Sequence, residues 1–260
     1  VNESSGLAAS QTTPGLYWTH NDSGDGPFIY AFDEHGRRRG LWRVAGARAR
    51  DWEDMTSGPG PDRNRHSLYI GDIGDNSGTR PEIVVYRIPE PRVSAADASA
   101  SKSKPGPTEP AEILRLVYPD GKHDAEALLV HPVTGNLYII TKILFAYPGI
   151  YEAVAPLTQG RTIKLVHVGE LNVPSLFGGI TGAAITPDGR RIAFCDYRQG
   201  YEFVLPDGSL SLSAIWKQPM RSIELGQRKQ GEAITYRVDG KALLATSEGL
   251  PTPLIQVERR

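Results

Sequence analysis

A short polar–small–apolar core recurs five times along the chain, and this repeat restricts the possible folds more than any other sequence feature. Three copies align on a glutamate: Glu-Asp-Met at 53–55, Glu-Ala-Leu at 126–128 and Glu-Ala-Ile at 232–234. Ser-Gly-Leu at 5–7 and Thr-Gly-Ala at 181–183 fit the same frame. The steps between the cores are 48, 73, 55 and 51 residues. A period near 50 residues indicates a repeat architecture.

The long second step contains an inserted segment at 94–110. Its sequence, SAADASASKSKPGPTEP, is rich in Ser, Ala and Pro and offers little to bury. Such a composition predicts a flexible surface insertion. Without these 17 residues the step is 56 residues, close to the others. We therefore interpret residues 1–260 as a single domain with one insertion at 94–110.

Each core is followed by further short apolar runs with turn sequences between them. The second runs end in polar residues and lie at 15–22, 67–76, 136–142, 191–197 and 242–248. The third runs lie at 28–33, 83–88, 149–154, 200–205 and 254–259. The fourth runs lie at 41–46, 113–118, 162–168 and 212–217. Turn sequences such as Asp-Glu-His-Gly at 33–36 separate the runs.

Four antiparallel strands in a repeat of about 50 residues are typical of one β-propeller blade. The sequence therefore predicts an all-β fold, a single β-propeller of five blades with four antiparallel strands each. The fifth repeat has no obvious fourth strand. A six-bladed ring with one poorly visible blade is the alternative.

The first strand of each propeller blade lines the central channel, so equivalent residues lie at one height around the axis. Glu53, Glu126 and Glu232 should therefore form a ring with Ser5 and Thr181. Three carboxylates in a narrow channel repel one another, and an unpaired buried carboxylate is costly. A divalent cation, basic partners or protonation would each relieve the repulsion, and all three alternatives stay open.

The polar ends of the second strands are expected at the same channel mouth. Asn21, Asp72 and Asp196 therefore join the three glutamates as candidate metal ligands. An oxygen-rich set of this kind suits a hard cation, and Ca²⁺ is the predicted cofactor. The six histidines do not cluster at metal-ligand spacing, which argues against a zinc site of the usual kind.

Three further residues are candidates for catalytic roles at this mouth. His20 and His123 are the histidines best placed to move a proton. Lys142 is a candidate basic partner for the acid ring. The alternative for polar residues at strand ends is structural, because Asp and Asn side chains often satisfy turn backbone. That alternative stays open for Asp72, and equally for Asp51 and Asp54.

Composition limits the classes of partner. A formal net charge of -1 gives no reason to expect nucleic acid or an anionic membrane surface. No apolar run approaches the roughly 20 residues of a membrane span. The single cysteine, Cys195, excludes an internal disulfide. The chain begins VNESSG without Met, so we expect a processed or trimmed product, secreted or in the cell envelope, with the cytoplasm as the alternative.

Several stretches together resemble uncharacterised actinobacterial-type β-propellers, which are loosely grouped with phytase-like and gluconolactonase-like six-bladed propellers. The stretches are SGLAAS, YWTHNDSG, DWEDM, LYIGDIGDN, DAEALLVHPVTGNLYIITK, TGAAITPDG and GEAIT, and they span nearly the whole chain except 94–110. Such relatives often carry Arg-Thr-Tyr where this chain has Cys195-Asp196-Tyr197, a departure that removes a cation and adds an acid. The resemblance implies calcium at the channel mouth and hydrolysis of phosphoesters, esters or lactones.

The leading functional prediction is a divalent-metal-dependent hydrolase acting at the channel mouth. The first alternative is a non-catalytic platform that binds a glycan or a protein and holds a structural cation. The second is a glycosidase that uses channel carboxylates. In each case we expect a monomer with a small-molecule or glycan ligand in the central channel. The sequence lacks the G-x-S-x-G elbow of serine hydrolases and the Walker phosphate loop.

Overall fold

Five β-sheets surround a central axis in the computed structural model, which describes residues 1–22, 24–62, 64–173, 179–209 and 212–259. The predicted all-β, five-bladed propeller is confirmed, and the six-bladed alternative is not. The first blade contains β1 (Ser4–Ala9), β2 (Leu16–Asn21), β3 (Phe28–Asp33) and β4 (Arg38–Arg43). The second contains β5 (Trp52–Pro59), β6 (His66–Asp72), β7 (Ile83–Pro89) and β9 (Glu112–Val117).

The remaining blades follow in chain order. The third contains β10 (Ala125–Val130), β11 (Leu137–Thr141), β12 (Gly149–Ala153) and β14 (Val166–Glu170). The fourth contains β15 (Gly182–Ile185), β16 (Arg191–Cys195), β17 (Gly200–Val204) and β18 (Arg221–Ile223). The fifth contains β19 (Gly231–Tyr236), β20 (Ala242–Ser247) and β21 (Ile255–Glu258), and in the described ranges it has these three strands only.

Two short strands extend the outer edges of blades in parallel orientation. β8 (Gly106–Pro107) belongs to the predicted insertion and pairs with β4 of the first blade. The same insertion carries a short 3₁₀ helix at Ala95–Ser99. The flexibility of the insertion stays a prediction. β13 (Thr162–Lys164) pairs with β9, so the outermost segment of the third repeat completes the second sheet.

The run LSAIWK at 212–217 was predicted as a strand, and this prediction is wrong. It forms a 3₁₀ helix whose buried side chains are Leu212, Ile215 and Trp216. Ile215 and Trp216 lie three and four residues after Leu212, which is a helical spacing rather than the alternation of a strand. The fourth strand of the blade is β18, which pairs with β17.

The inner strands β1, β5, β10, β15 and β19 pack side by side in a closed ring. The ring closes between the first and fifth blades, where Ser4 Oγ donates to Thr246 Oγ1 at 3.0 Å. Nearby, the Gly249 N–H donates to the Asn2 carbonyl at 2.9 Å. Apolar layers fill the space between blades; Trp18, Trp42, Trp52 and Met55 belong to one of them. Within the described ranges, no helix has the length and apolar character needed to cross a membrane.

Candidate functional site

Four of the five repeated polar residues lie at irregularities in the inner strands. The register with the second strand shifts between Trp52 and Asp54 and between Ala125 and Ala127, so Glu53 and Glu126 are the extra residues. Equivalent shifts occur around Ser5 in β1 and around Glu232 in β19. A bulge leaves its extra residue outside the ladder and redirects the side chain. The local geometry thus places the repeated acids at one mouth of the channel.

Three carboxylates meet at this mouth. Asp22, Asp51 and Glu53 each offer an oxygen, and these oxygens all lie within 4.8 Å of one another. Asp22 follows β2 of the first blade, whereas Asp51 directly precedes β5 of the second. Glu53 is only 6% exposed. A set of carboxylate oxygens at this spacing could bind a metal ion, and oxygen ligands suit a hard cation.

The loop after β6 closes over this cluster through Gly74. A Cβ atom at position 74 would lie 2.2 Å from Glu53 Oε1 and 2.5 Å from Asp51 Oδ2. Arg80 secures the loop, since its Nη1 donates to the Gly74 carbonyl at 2.8 Å and contacts Asp72 Oδ1 at 2.8 Å. The Arg80–Asp72 ion pair is buried on both sides. A glycine backbone and a buried ion pair therefore shape one wall of the cluster.

The charge on Glu53 is poorly compensated by the protein. Burial raises the pKa of Glu53 to about 10, and the carboxylates of Glu126, Asp22 and Asp51 push it in the same direction. Burial also raises the pKa of Asp51, as do the charges of Asp22 and Asp124. A group in this setting holds a proton unless a cation replaces it. The chemistry of the donor set therefore fits a divalent cation.

The other two glutamates have different surroundings. Glu126 forms an ion pair with Lys142, whose Nζ also lies 3.2 Å from the Tyr197 hydroxyl. Burial raises the pKa of Glu126 to about 7, and Lys142 opposes the shift. Burial and then the charge of Glu126 raise the pKa of Glu232 to about 8. Lys142 thus occupies the predicted position of a basic partner, but for one glutamate of the three.

Of the other predicted metal ligands, Asn21 and Asp72 are engaged in structural contacts. Asn21 Oδ1 accepts hydrogen bonds from the backbone N–H groups of Asn2 at 3.0 Å and Glu3 at 3.2 Å. Asp72 pairs with Arg80 and also accepts the backbone N–H groups of Arg50 and Asp51, just before β5. Asp72 does not belong to the three-carboxylate cluster.

Asp196 caps a turn within its own blade. Its Oδ1 accepts the backbone N–H groups of Arg198 at 2.7 Å and Gln199 at 2.6 Å. Its Oδ2 accepts the Tyr201 hydroxyl at 2.6 Å. The geometry engages both oxygens in the turn between β16 and β17.

The two predicted proton-moving histidines lie apart from the cluster. His20 is fully buried; its Nδ1–H donates to the Asn21 carbonyl at 2.8 Å, and Nε2 has no hydrogen-bond partner among the described residues. Burial lowers the pKa of His20. His123 Nε2 lies 3.0 Å from Asp120 Oδ1 and 3.1 Å from the Tyr151 hydroxyl. Each histidine is therefore held in contacts of its own.

Asp54, left open in the sequence, occupies the middle of the channel. It is fully buried, and its Oδ1 accepts the Met55 N–H at 2.8 Å. Its Oδ2 accepts the N–H groups of Leu128 at 2.9 Å and Ala183 at 3.2 Å. The sequence distinguishes Asp54 from its equivalents in the other repeats, which are all small: Gly6, Ala127, Gly182 and Ala233.

A cavity lies beyond Asp54, at the opposite ends of the inner strands. Its volume is about 880 Å³, and Gly58, Val130, Thr186 and Thr235 are among its lining residues. The Asp54 side chain lies between this cavity and the acidic mouth. The two faces of the propeller therefore present separate surfaces.

The fold and this mouth together define a five-bladed β-propeller with an acidic cluster at one end of its channel. No family model matches the sequence, and no curated protein sequence matches it either. Membership of the actinobacterial-type or phytase-like group therefore remains a prediction.

Solved structures of similar shape have low sequence identity. Kuenenia stuttgartiensis hydrazine synthase has 8% identity and a TM-score of 0.49, over 98% of this chain and 71% of that chain. A chain of the nidogen/laminin complex has 16% identity and a TM-score of 0.45, over 93% and 71%. The Dos1 propeller has 12% identity and a TM-score of 0.40, over 94% and 53%. Similarity at this level carries no inference about the activity of this chain.

Proposed function

We propose that this propeller is a calcium-dependent hydrolase of phosphoesters, esters or lactones, with its site at the acidic mouth of the channel. The observation that carries the proposal is the cluster of Asp22, Asp51 and Glu53, whose oxygens lie within 4.8 Å of one another. These three side chains would hold the cation. When bound, the cation would polarise a substrate oxygen and lower the pKa of a water molecule.

Glu232 and Lys142 supply the remaining chemistry in this proposal. Because burial and Glu126 raise the pKa of Glu232 to about 8, its carboxyl group holds a proton at neutral pH. A protonated carboxyl group at the mouth can donate its proton to a leaving group. Lys142 keeps Glu126 paired and fixes its orientation. We assign the proton-donating role to Glu232 because His20 is fully buried and His123 contacts Asp120 and Tyr151.

The second candidate is a non-catalytic platform for a glycan or protein ligand, with the same cation in a structural role. The position of the two histidines favours it, because neither joins the carboxylate cluster. The glycosidase alternative is less well supported, since that chemistry uses an opposed pair of carboxyl groups rather than a cluster of three. A secreted or cell-envelope location, where calcium is abundant, is part of the leading proposal.

Calcium binding and turnover can be measured separately on the purified protein. We expect calcium to raise the melting temperature after treatment with a chelator, and Asp51→Asn and Glu53→Gln to abolish that shift. Glu109→Gln is the matched control, because Glu109 is exposed and pairs with Arg65. Turnover of p-nitrophenyl phosphate, p-nitrophenyl acetate and gluconolactone should require calcium.

The results of these measurements distinguish the hydrolase from the binding platform. If the chelated protein neither binds calcium nor changes its melting temperature with it, the cation site is wrong. If calcium binds in the wild type but none of the three substrates is turned over, the platform replaces the hydrolase. If turnover is independent of calcium and survives Glu53→Gln, the cluster is not the active site.

A further inference from the structure

The inner strands turn backbone N–H groups toward the axis at one level of the channel. Met55, Leu128 and Ala183 occupy equivalent positions in three repeats, two residues after the repeated polar residue. Their N–H groups all donate to the carboxylate of Asp54, over 2.8, 2.9 and 3.2 Å. The Leu7 N–H, from the equivalent position in the first blade, also favours the charged form of this carboxylate. Three blades therefore donate a hydrogen bond to one side chain, and the first blade places a further N–H near it.

A longer side chain does not fit at two of the equivalent positions, and a Cβ on Gly6 would lie 2.4 Å from His20 Nε2. A Cβ atom on Gly6, the equivalent of Asp54 in the first blade, would lie 2.5 Å from the Met55 nitrogen. A Cβ on Gly182, the equivalent in the fourth blade, would lie 2.6 Å from the Glu232 carbonyl oxygen. The remaining equivalents, Ala127 and Ala233, are buried alanines. One acid and four small residues thus occupy the equivalent positions of the five blades.

The donors need an acceptor because they are buried. Buried backbone N–H groups are almost always paired, and leaving several unpaired in one place is unfavourable. Converging N–H groups of this kind form a concave site for anions. The N–H groups of Met55, Leu128 and Ala183 are paired in this way with the two oxygens of one side chain, Asp54.

We propose that these inner-strand amides form an anion-binding ring that the native protein fills with the Asp54 carboxylate, and that a small free carboxylate occupies it when that side chain is removed. Formate matches the carboxylate group of the missing side chain in size and charge. The ring is distinct from the cation cluster, which comprises Asp22, Asp51 and Glu53.

Chemical rescue tests the proposal. The variant Asp54→Gly removes the carboxylate and leaves a space, whereas the matched variant Asp54→Leu fills the space without an acceptor. We expect formate to raise the melting temperature of Asp54→Gly in a saturable manner. The wild type and Asp54→Leu should show no such rise. Sodium gluconate, too large for the ring, keeps the ionic strength constant throughout.

A second measurement covers the case in which Asp54→Gly does not fold alone. Its refolding yield is then followed against the concentration of formate, with formamide as the neutral molecule of the same size. We expect formate to restore folding and formamide to fail. If formamide works equally well, if Asp54→Leu responds like Asp54→Gly, or if formate has no effect at all, the ring does not bind anions.

Discussion

The backbone of Gly74 lies so close to Glu53 that a Cβ at position 74 would fall 2.2 Å from Glu53 Oε1. The same atom would lie 2.5 Å from Asp51 Oδ2. No ordinary side chain fits there without moving two carboxylates of the candidate cation site. This contact makes it possible to disturb the site without removing a ligand.

Gly74→Ala should weaken calcium binding, because the new methyl group must displace Glu53, Asp51 or the loop itself. Changes to the groups that orient metal ligands typically cost about ten- to a hundredfold in affinity, and we expect an effect of that size. Isothermal titration calorimetry measures it directly. Ser77→Ala, an exposed position in the same loop, is the control. An affinity equal to that of the wild type would show that Gly74 does not shape the site.

Stability without metal should fall as the pH rises from about 7 to 9. The pKa values of Glu53 and Glu232 are raised to about 10 and about 8, so the folded state holds more protons than the unfolded state in this range. The free energy of unfolding therefore decreases with pH. His20 and His131, whose pKa values are lowered below 6.5, act in the opposite sense only at lower pH.

Urea denaturation at several pH values measures this dependence. Calcium should flatten it, because a bound cation replaces the protons, and its own binding should strengthen with pH for the same reason. Glu53→Gln should reduce the slope of the metal-free protein. A metal-free stability that stays constant or increases between pH 7 and 9 would contradict the raised pKa values.

Arg80→Met should destabilise the protein strongly. It leaves the buried Asp72 carboxylate without its partner and removes a hydrogen bond to the Gly74 carbonyl. Breaking one side of a buried ion pair typically costs about 3–5 kcal/mol. Equilibrium unfolding in urea provides the measurement. Arg115→Met is the matched control, because its pair with Glu82 is far more exposed; equal losses in the two variants would argue against a special role for Arg80.

The period of the repeat was sufficient to predict the blades, because each inner strand carries its polar residue in phase. The same period also predicted that Glu53, Glu126 and Glu232 lie at one mouth of the channel. Membership of the carboxylate cluster was harder to predict, since Asp22 comes from the first blade and Asp51 precedes the second. Their meeting depends on how neighbouring blades pack and on the loop at Gly74. Periodicity within one strand contains no such information.

Two other differences between the sequence predictions and the structure have specific causes. The buried residues of 212–217 follow a helical spacing that a search for apolar runs overlooks. Asp54 stands out only when the position after the repeated polar residue is compared across all five copies, where every other residue is Gly or Ala. An acid at a position that is otherwise small indicates a side chain with a site of its own.

The hydrogen bonds of Asp54 determine how the propeller unfolds. In most repeat proteins each unit interacts with its sequence neighbours alone, so units can melt one after another. Here one carboxylate in the second blade binds backbone in the third and also in the fourth, which is not adjacent to it. Loss of any of these blades breaks bonds that the others share. The propeller should therefore lose its structure as one cooperative unit, without partly unravelled intermediates.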